Sequence, residues 1–352
     1  MLNDLMIAIN KIVATIKKNI PHHYAYTMGM DVFIFNKYGS ADNLYIKKVE
    51  KPTPAADQLL IKVIATSFNG SDKEMLRGSP FYARIGGFVR PKSWVLGSDI
   101  AGVVEAIGPA VTNFEVGDEV YGEMPGYRGG LAEYVCIKGD LLAKKPADLS
   151  FTDAAAMPQA GTIAYRGIIT EANVQAGQSV LINGAGGAGG SFAIQLAKHL
   201  GATVTGVDNE HKLDFMTSMG ADSVIDYKKE DFALNGQQYD LILDLFGTRA
   251  PKMVASSLAA DGTYLAVGGP VRRILQLFMQ EQRIQKNSGK RVSMLTVPQN
   301  HEDVVAMTQF VLDGHIKPAI DRVFEFNEAP QALGRMLDGL ALGKIVVKVS
   351  NG

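Results

Sequence analysis

The stretch from Leu181 to Leu200, LINGAGGAGGSFAIQLAKHL, joins a strand-like apolar run to a helical pattern through a turn that is mostly glycine. A strand, a G-x-G-x-x-G turn and a helix in this order are typical of dinucleotide-binding proteins. One glycine permits the tight turn, another lets backbone N–H groups approach a pyrophosphate, and a third lets helix and strand pack closely. We expect the pyrophosphate to lie against Gly184, Gly186, Gly187, Ala188 and Gly189, at the positive end of a helix that begins near Ser191.

The next strand-like run, ATVTGV, ends at Asp208, about 20 residues beyond the glycine turn, where a ribose-binding acid is expected. A carboxylate there would accept hydrogen bonds from both ribose hydroxyls and repel a 2′-phosphate, which favours NAD(H). If Asp208 turned away, nearby basic residues could instead compensate a phosphate: His211, Lys212, Lys228 and Lys229. The cofactor is therefore NAD(H) or NADP(H), and Lys212 and Tyr227 are predicted beside it.

Length and composition limit the other classes of function. A chain of 352 residues exceeds the size of most single cores, which predicts two domains. The formal net charge of -1 gives no basis for binding nucleic acid, and no apolar run is long enough to span a membrane. Cys136 is the only cysteine, which excludes an internal disulfide and a cysteine-rich zinc site. A cytoplasmic location is expected.

The order of predicted strands and helices changes along the chain. Short β-like runs follow one another from about Val32, whereas strands alternate with helical stretches after about Pro158, as in a doubly wound parallel sheet. The tail ends in the β-like run GKIVVKV, which predicts a return to the first domain. The first residues show helical spacing of apolar side chains, which we interpret as an appended helix or upstream sequence.

Eight stretches together resemble the medium-chain dehydrogenase/reductase superfamily, in particular its zinc-independent, ζ-crystallin-like quinone oxidoreductase branch. They cover Asp31 to Ser350 and read FIFNKYGS, LGSDIAGVVEAIG, GDEVYG, GGLAEYV, LSFTDAAAMPQAGTIAY, VLINGAGGAGGSFAIQLAKHLGA, GADSVIDY and GKIVVKV. The resemblance implies an α/β fold in which a GroES-like β-barrel catalytic domain is split around a Rossmann cofactor domain. The predicted boundaries are 1–29 for an N-terminal extension, 30–155 for the barrel, 156–300 for the Rossmann domain and 301–352 for the return.

Metal-dependent relatives carry cysteine and histidine ligands where this sequence has Asn69-Gly70-Ser71-Asp72, Gly97-Ser98-Asp99 and Gln159-Ala160-Gly161. Catalytic zinc needs three protein ligands, so we expect no metal site. Without a metal to stabilise an alkoxide, the more plausible reaction is hydride transfer to an electrophilic small molecule, such as a quinone or an α,β-unsaturated carbonyl.

The resemblance also implies roles for single residues. Asn69 and Ser71 become candidate hydrogen-bond donors to the substrate, although Asn69 could equally fix the turn before Gly70. Further positions beside the cofactor are Thr162, Gly268, Gly269 and Lys344. For Lys344 the ordinary alternative is a solvated lysine at the start of a strand.

The leading hypothesis is therefore a zinc-independent NAD(P)H-dependent reductase of quinones or enones. The alternatives are a non-catalytic cofactor-binding protein with a structural or regulatory role, and a zinc-dependent alcohol dehydrogenase. The segment 271–291 is predicted as an amphipathic helix. The resemblance further implies a homodimer in which the run RVSMLTV pairs between subunits.

Overall fold

The computed structural model describes residues 29–84, 87–91 and 94–350. The helix expected at the N-terminus lies outside the described residues. Within the described part, no helix has both the length and the apolar character needed to cross a membrane.

The first part of the chain forms antiparallel strands that belong to two sheets. These strands are β1 (Met30–Phe35), β2 (Leu44–Val49), β3 (Gln58–Phe68), β4 (Asp99–Ile107), β5 (Glu119–Glu123), β6 (Tyr134–Lys138) and β7 (Leu142–Lys144). The long strand β3 pairs with both β4 and β6, while β1 pairs with β2 as a separate ribbon. The buried apolar side chains of β3 and its neighbours form the core of this domain.

The middle of the chain forms a six-stranded parallel sheet. Its strands are β8 (Ser179–Asn183), β9 (Thr203–Asp208), β10 (Ser223–Asp226), β11 (Tyr239–Asp244), β12 (Leu258–Ala266) and β13 (Arg291–Met294). Their spatial order is β10-β9-β8-β11-β12-β13, which reverses direction between β8 and β11. Ligands bind at the carboxyl ends of the strands beside such a reversal. The predicted barrel and Rossmann architecture is confirmed.

Helices cover the parallel sheet and close the barrel. They are α1 (Gly70–Arg77), α2 (Phe151–Ala156), α3 (Pro158–Tyr165), α4 (Ala188–His199), α5 (Leu213–Ser218), α6 (Pro251–Ser256), α7 (Val271–Ser288), α8 (His301–Leu312) and α9 (Ala329–Leu337). A π-helical turn, Arg166–Glu171, extends α3, and short 3-10 turns lie at Ala41–Asn43, Phe81–Arg84, Pro125–Tyr127, Gly139–Leu141, Glu210–Lys212 and Phe326–Glu328. The helix after the glycine turn begins at Ala188 rather than near Ser191.

The tail returns to the barrel through β14 (Ile320–Glu325) and β15 (Lys344–Lys348), and β15 pairs antiparallel with β3. The same return brings the tail against the glycine turn, because the N–H of Gly343 donates to the carbonyl of Gly186 at 3.2 Å. A second contact joins β5 to α8, where the hydroxyls of Tyr121 and Thr308 lie 2.6 Å apart. The three parts of the chain therefore meet around one cleft.

Candidate active site

A cleft of about 1170 Å³ lies between the barrel and the parallel sheet. Many of the residues predicted from the sequence line it, namely Asn69, Ser71, Gly184, Gly187, Ala188, Gly189, Asp208, Lys212, Tyr227, Gly268 and Gly269. The structure thus brings the candidate substrate-binding loop and the candidate cofactor-binding turn to the two walls of one cavity.

The glycine turn has the geometry of an anion-binding loop. Gly184 follows β8 with a φ of +92°, which favours glycine. Gly187 precedes α4 and its N–H donates to the carbonyl of Gly184 at 3.1 Å. The first N–H groups of a helix lack intrahelical acceptors and attract negative charge. Since Gly187, Ala188 and Gly189 line the cleft, the turn fits a pyrophosphate.

Close packing of helix on strand depends on Gly190 and not on Gly189, the third glycine of the G-x-G-x-x-G spacing. A Cβ at Gly190 would lie 2.3 Å from the carbonyl oxygen of Gly184 and 2.4 Å from the Cα of Ala185. A Cβ at Gly189 would meet no atom closer than 3.5 Å. The helix therefore approaches the turn one residue later than the G-x-G-x-x-G spacing predicts.

Asp208 lies at the end of β9 with its carboxylate turned toward the glycine turn. Its Oδ2 accepts from the N–H of Gly186 at 3.1 Å, and its Oδ1 accepts from the N–H of Asn209 at 2.9 Å. The ammonium of Lys212 lies 3.7 Å from Oδ2, and a Cβ at Gly186 would meet the Lys212 side chain at 2.5 Å. Gly186 is thus covered by Lys212 and does not line the cleft.

The other predicted cofactor residues lie around this corner of the cavity. Tyr227 is half exposed, and its N–H donates to the carbonyl of Asp208 at 3.1 Å. Gly268 and Gly269 follow β12, a strand of the same parallel sheet, and Gly269 has a φ of +138°. A Cβ at Gly269 would lie 2.7 Å from the carbonyl oxygen of Gly247, so this backbone approach requires glycine.

Two predicted residues lie elsewhere. Thr162 is buried in α3 and does not line the cleft, whereas Gln159 and Ile163 of the same helix do. Lys344 is neither solvated nor directed at the glycine turn. Its side chain is completely buried and points into the barrel, where the ammonium donates to Asn69 Oδ1 at 2.5 Å. The Lys344 ammonium therefore lies with Asn69 and Asp99 of the barrel and not at the glycine turn, where the resemblance implied it.

A buried carboxylate lies beside this lysine. Asp99 is completely buried at the start of β4 and receives hydrogen bonds from four groups. Lys344 Nζ, Asn69 Nδ2 and Ser67 Oγ donate to Oδ2 at 2.8, 2.7 and 3.1 Å, and the N–H of Gln159 donates to Oδ1 at 3.0 Å. Buried charges persist when they are paired and fully hydrogen-bonded, as Asp99 is here.

Asn69 and Ser71 are positioned by the start of α1. Asn69 precedes the helix in a capping box with Asp72, whose Oδ2 accepts from the N–H of Asn69 at 2.8 Å. Burial raises the pKa of Asp72 to about 6, although hydrogen bonds from Asn69, Ser98 and Gly97 act in the opposite direction. Ser71 Oγ donates to Gln159 Oε1 at 3.1 Å. Asn69 therefore fixes the turn and lines the cleft, and its Nδ2 donates to Ser98 Oγ and to Asp99 Oδ2, both at 2.7 Å. A hydrogen bond from Asn69 to the substrate stays a prediction.

The sequence analysis missed Glu123, an acid in the cleft wall. Glu123 ends β5 directly opposite Asp99 on β4 and is 6% exposed. Within the described part of the chain no hydrogen bond reaches its Oε1. Burial, followed by the nearby charge of Asp99, raises the pKa of Glu123 to about 8. The surroundings of Glu123 thus favour the protonated form of its carboxyl group in the cleft wall.

Glu123 makes the stability of the protein depend on pH. Its pKa is about 8 in the folded chain against an ordinary value of 4.5, so the folded protein binds this proton more tightly. The resulting stabilisation is complete at a pH below the pKa of the unfolded chain. It is lost as the pH rises through the pKa of the folded chain. We expect the wild type to lose about 2 kcal/mol more unfolding free energy than Glu123→Gln between pH 6 and 8. Urea unfolding of both proteins across that range tests this, and parallel curves would contradict it.

The groups at the metal-ligand positions do not fit zinc. Asn69 supplies an amide and Ser98 a hydroxyl, and the ammonium of Lys344 donates to Asn69 and Asp99 between them. Zinc binds thiolate, imidazole and carboxylate, and an ammonium in their midst would repel a dication. Among the described residues no group of three or more His, Cys, Asp or Glu could hold a metal ion.

A parallel sheet with a glycine turn facing a GroES-like barrel across a cleft defines a two-domain dehydrogenase or reductase. Residues 55–147 match the family model described as alcohol dehydrogenase GroES-like domain, and residues 219–347 match the one described as zinc-binding dehydrogenase. The chain belongs to the medium-chain dehydrogenase/reductase superfamily, in its quinone oxidoreductase branch.

Curated relatives and solved structures agree with this assignment. The chain is 34% identical over 335 residues to the 2-methylene-furan-3-one reductase of Solanum lycopersicum, covering 90% of this chain and 79% of the relative. It is 33% identical over 333 residues to the chloroplastic NADPH-dependent alkenal/one oxidoreductase of Arabidopsis thaliana, with coverage of 90% and 79%. The quinone oxidoreductase of Coxiella burnetii superposes with a TM-score of 0.80 at 30% identity, covering 91% of this chain and 99% of that one.

Proposed function

We propose that this protein is a zinc-independent, NADPH-dependent reductase of quinones or α,β-unsaturated carbonyl compounds. The observation that carries the proposal is the content of the cleft. One wall presents a glycine turn at a helix N-terminus, and the other presents Asn69 held by the Lys344 ammonium where metal-dependent relatives bind zinc. The similarity to reductases and oxidoreductases of quinones, alkenals and alkenones supports the same class of substrate.

The glycine turn and its surroundings would hold the cofactor. The main chain at Gly187, Ala188 and Gly189 would bind the pyrophosphate, and Gly268 and Gly269 would allow the cofactor to approach the backbone after β12 of the same sheet. When bound there, NADPH would supply a hydride to the substrate. Ser71 lies across the cleft, where its hydroxyl would turn from Gln159 to stabilise the negative charge that develops on a carbonyl oxygen. Asn69, whose Nδ2 hydrogens are taken up by Ser98 and Asp99, would line the substrate site beside it.

The charges around Asp208 favour the phosphorylated cofactor. Asp208 is already hydrogen-bonded to the main chain of Gly186 and Asn209, while Lys73 and Lys212 lie near it in the cleft wall. Arg249 also lines the cleft, but it pairs with Asp231 at 2.8 Å. Burial, and then the neighbouring cations Arg77 and Lys212, lower the pKa of Lys73. Neighbouring positive charges repel one another, and an anion bound between them reduces this repulsion. The 2′-phosphate of NADPH would be such an anion.

Replacing the Lys212 ammonium should therefore discriminate between the two nicotinamide cofactors. In Lys212→Met we expect about 10–100-fold weaker NADPH binding, because one charged hydrogen bond to the phosphate is lost. We expect little change in NADH binding. Methionine retains the apolar stem that packs over Gly186. Fluorescence titration with both cofactors measures the ratio, and Lys252→Met is the matched control, because Lys252 is an exposed lysine of α6 that does not line the cleft. An equal loss for both cofactors would remove Lys212 from the phosphate site.

Activity assays and metal analysis test the proposal as a whole. Chelator-treated protein is mixed with NADPH or NADH and a panel of quinones, enals and enones, and cofactor oxidation is followed by absorbance. We expect turnover without added metal. Saturable NADPH binding with no turnover of any acceptor would support the non-catalytic alternative. Stoichiometric zinc with chelator-sensitive alcohol oxidation would support a zinc-dependent alcohol dehydrogenase.

The homodimer implied by the family resemblance would form along β13, which is the edge strand of the parallel sheet. An unpaired edge strand can extend its sheet by pairing with a second copy. Light scattering at micromolar concentration should give twice the monomer mass, and a monomer alone would contradict the pairing. A cytoplasmic location stays a prediction, since relatives at this level of identity include chloroplastic proteins.

A further inference from the structure

Glu123 lies in the cleft wall, is buried and has one carboxyl oxygen without a hydrogen bond from the described residues. We therefore examine it as a candidate catalytic group. It ends β5 in the wall of the cleft that also contains Asn69, Ser71 and Gln159. It is 6% exposed, yet no hydrogen bond from the described residues reaches its Oε1. An unpaired buried carboxyl oxygen costs stability, so its retention in a cavity wall calls for an explanation.

The cross-strand neighbour determines which of the two acids carries the charge. Asp99 lies directly opposite Glu123 and receives hydrogen bonds from four groups, among them the Lys344 ammonium at 2.8 Å. Two adjacent buried carboxyls do not both ionise readily, because like charges repel in a poorly solvated site. The donors around Asp99 therefore hold its negative charge, and Glu123 is left with the proton.

The other polar groups around Glu123 favour its ionised form, but their effect is smaller than that of burial and of Asp99. Gln159 and Gln299 stabilise its ionised form through their side-chain amides, and Lys344 does so through its charge. Burial and Asp99 outweigh them, which is why the pKa of Glu123 reaches about 8. Tyr127 also lines the cleft nearby, and its pKa is raised by burial and then by Glu123. Tyr127 is thus the competing donor that an experiment must separate from Glu123.

We propose that Glu123 is the catalytic acid that protonates the α-carbon of an enone or enal during reduction, directly or through one water. The proposal rests on the proposed function. A hydride brings two electrons to the β-carbon, and the C=C electron pair moves toward the carbonyl oxygen to give an enolate. The O–H bond of Glu123 then breaks as the new C–H bond forms at the α-carbon. Solvent returns one proton to the Glu123 carboxylate, so each turnover consumes one hydride and one proton.

A reduced quinone is protonated at oxygen, whereas a reduced enone is protonated at carbon. Quinone reduction leaves the charge on a hydroquinone oxygen, and oxygen anions take protons rapidly from water. Protonation at carbon is slower and benefits from a positioned acid of suitable pKa. A proton donor in the cleft therefore matters for enones and much less for quinones, which gives a readout that a purely structural residue would not produce.

The central test compares two glutamates of β5. In Glu123→Gln we expect kcat for enones to fall about 100-fold or more, the usual contribution of a general acid, with quinone reduction kept within about threefold. The decline of wild-type enone kcat near pH 8 should disappear in the variant. Glu119→Gln, on an exposed acid of the same strand paired with Lys145, should match the wild type with both acceptors. Equal losses for enones and quinones, or no loss with either, would overturn the proposal.

A second comparison separates Glu123 from Tyr127. Tyr127→Phe should leave enone reduction within about threefold of the wild type, since it removes no general acid. A 100-fold loss in Tyr127→Phe would assign the proton to the tyrosine instead. In D₂O the wild type should place deuterium on one face of the α-carbon, whereas Glu123→Gln should give both faces. Unselective deuteration by the wild type would also overturn the proposal.

Titration of the cofactor-free protein provides a readout independent of turnover. Infrared difference spectra should show a protonated carboxylic acid at pH 7 that is lost near pH 8 and is absent in Glu123→Gln. If the wild type reduces neither enones nor quinones, the proposed function fails while this band can still be present. If the wild type reduces both and the band is missing, the assignment of Glu123 as the acid fails alone.

Discussion

A Lys344→Met variant is expected to lose about 3–5 kcal/mol of unfolding free energy, because it leaves a buried carboxylate without its charged partner. Lys344 and Asp99 are both completely buried, and their charged atoms are 2.8 Å apart. Methionine fills nearly the same volume, so the loss reports the missing charge rather than a cavity. Asn69 Oδ1 would lose a donor in the same step, which adds to the cost.

The double variant Lys344→Met/Asp99→Asn tests this explanation. Removing both charges eliminates the unpaired carboxylate, so we expect most of the lost stability to return. Lys138→Met is the matched control, because Lys138 pairs with Asp57 on the surface and should tolerate the change without a measurable effect. Urea unfolding of the three variants and the wild type gives the comparison. A Lys344→Met protein as stable as Lys138→Met would show that the ammonium does not hold the buried charge.

The fold was predictable because the strands of a parallel sheet carry a simple signal. β8 is buried on both faces, so SVLIN reads as a continuous apolar run, and the turn after it must be rich in glycine for the helix to approach. Periodicity alone could not identify the packing glycine. Gly189 and Gly190 are both glycines in the first turn of α4, and only the three-dimensional path of the chain shows that Gly190 meets the backbone of Gly184.

The buried acids and the lysine were not predictable, because their burial depends on contacts distant in sequence. Glu119 and Glu123 are four residues apart on β5, so strand alternation places both on one face of the sheet. Glu119 is solvent-exposed, whereas Glu123 is covered by groups brought in from β4, α3 and β15. Lys344 was unpredictable for the same reason. A lysine at a strand start is ordinarily solvated, and only the hydrogen bonds to Asn69 and Asp99 explain its burial.

Gly190→Ala is expected to weaken NADPH binding about 100-fold, because the main-chain N–H groups that bind the pyrophosphate lose their alignment when α4 is displaced, and a misplacement of about 1 Å can cost that factor in a positioned site. The added methyl would lie 2.3 Å from the Gly184 carbonyl oxygen and 2.4 Å from the Ala185 Cα. Both contacts are with backbone, so α4 must move away from the turn that it covers. We also expect a loss of about 1–3 kcal/mol in unfolding free energy, the usual cost of overpacking.

A second helical glycine supplies the control for this substitution. Gly334 lies within α9, and a Cβ there would meet no atom of the described residues within 4 Å. Gly334→Ala should therefore bind NADPH as the wild type does and gain about 0.5–1 kcal/mol, because alanine favours a helix. Cofactor titration and urea unfolding of both variants separate a local clash from a general effect of alanine. Unchanged NADPH affinity in Gly190→Ala would mean that the pyrophosphate does not depend on the close approach of α4 to the glycine turn, and the cofactor site would have to be sought elsewhere in the cleft.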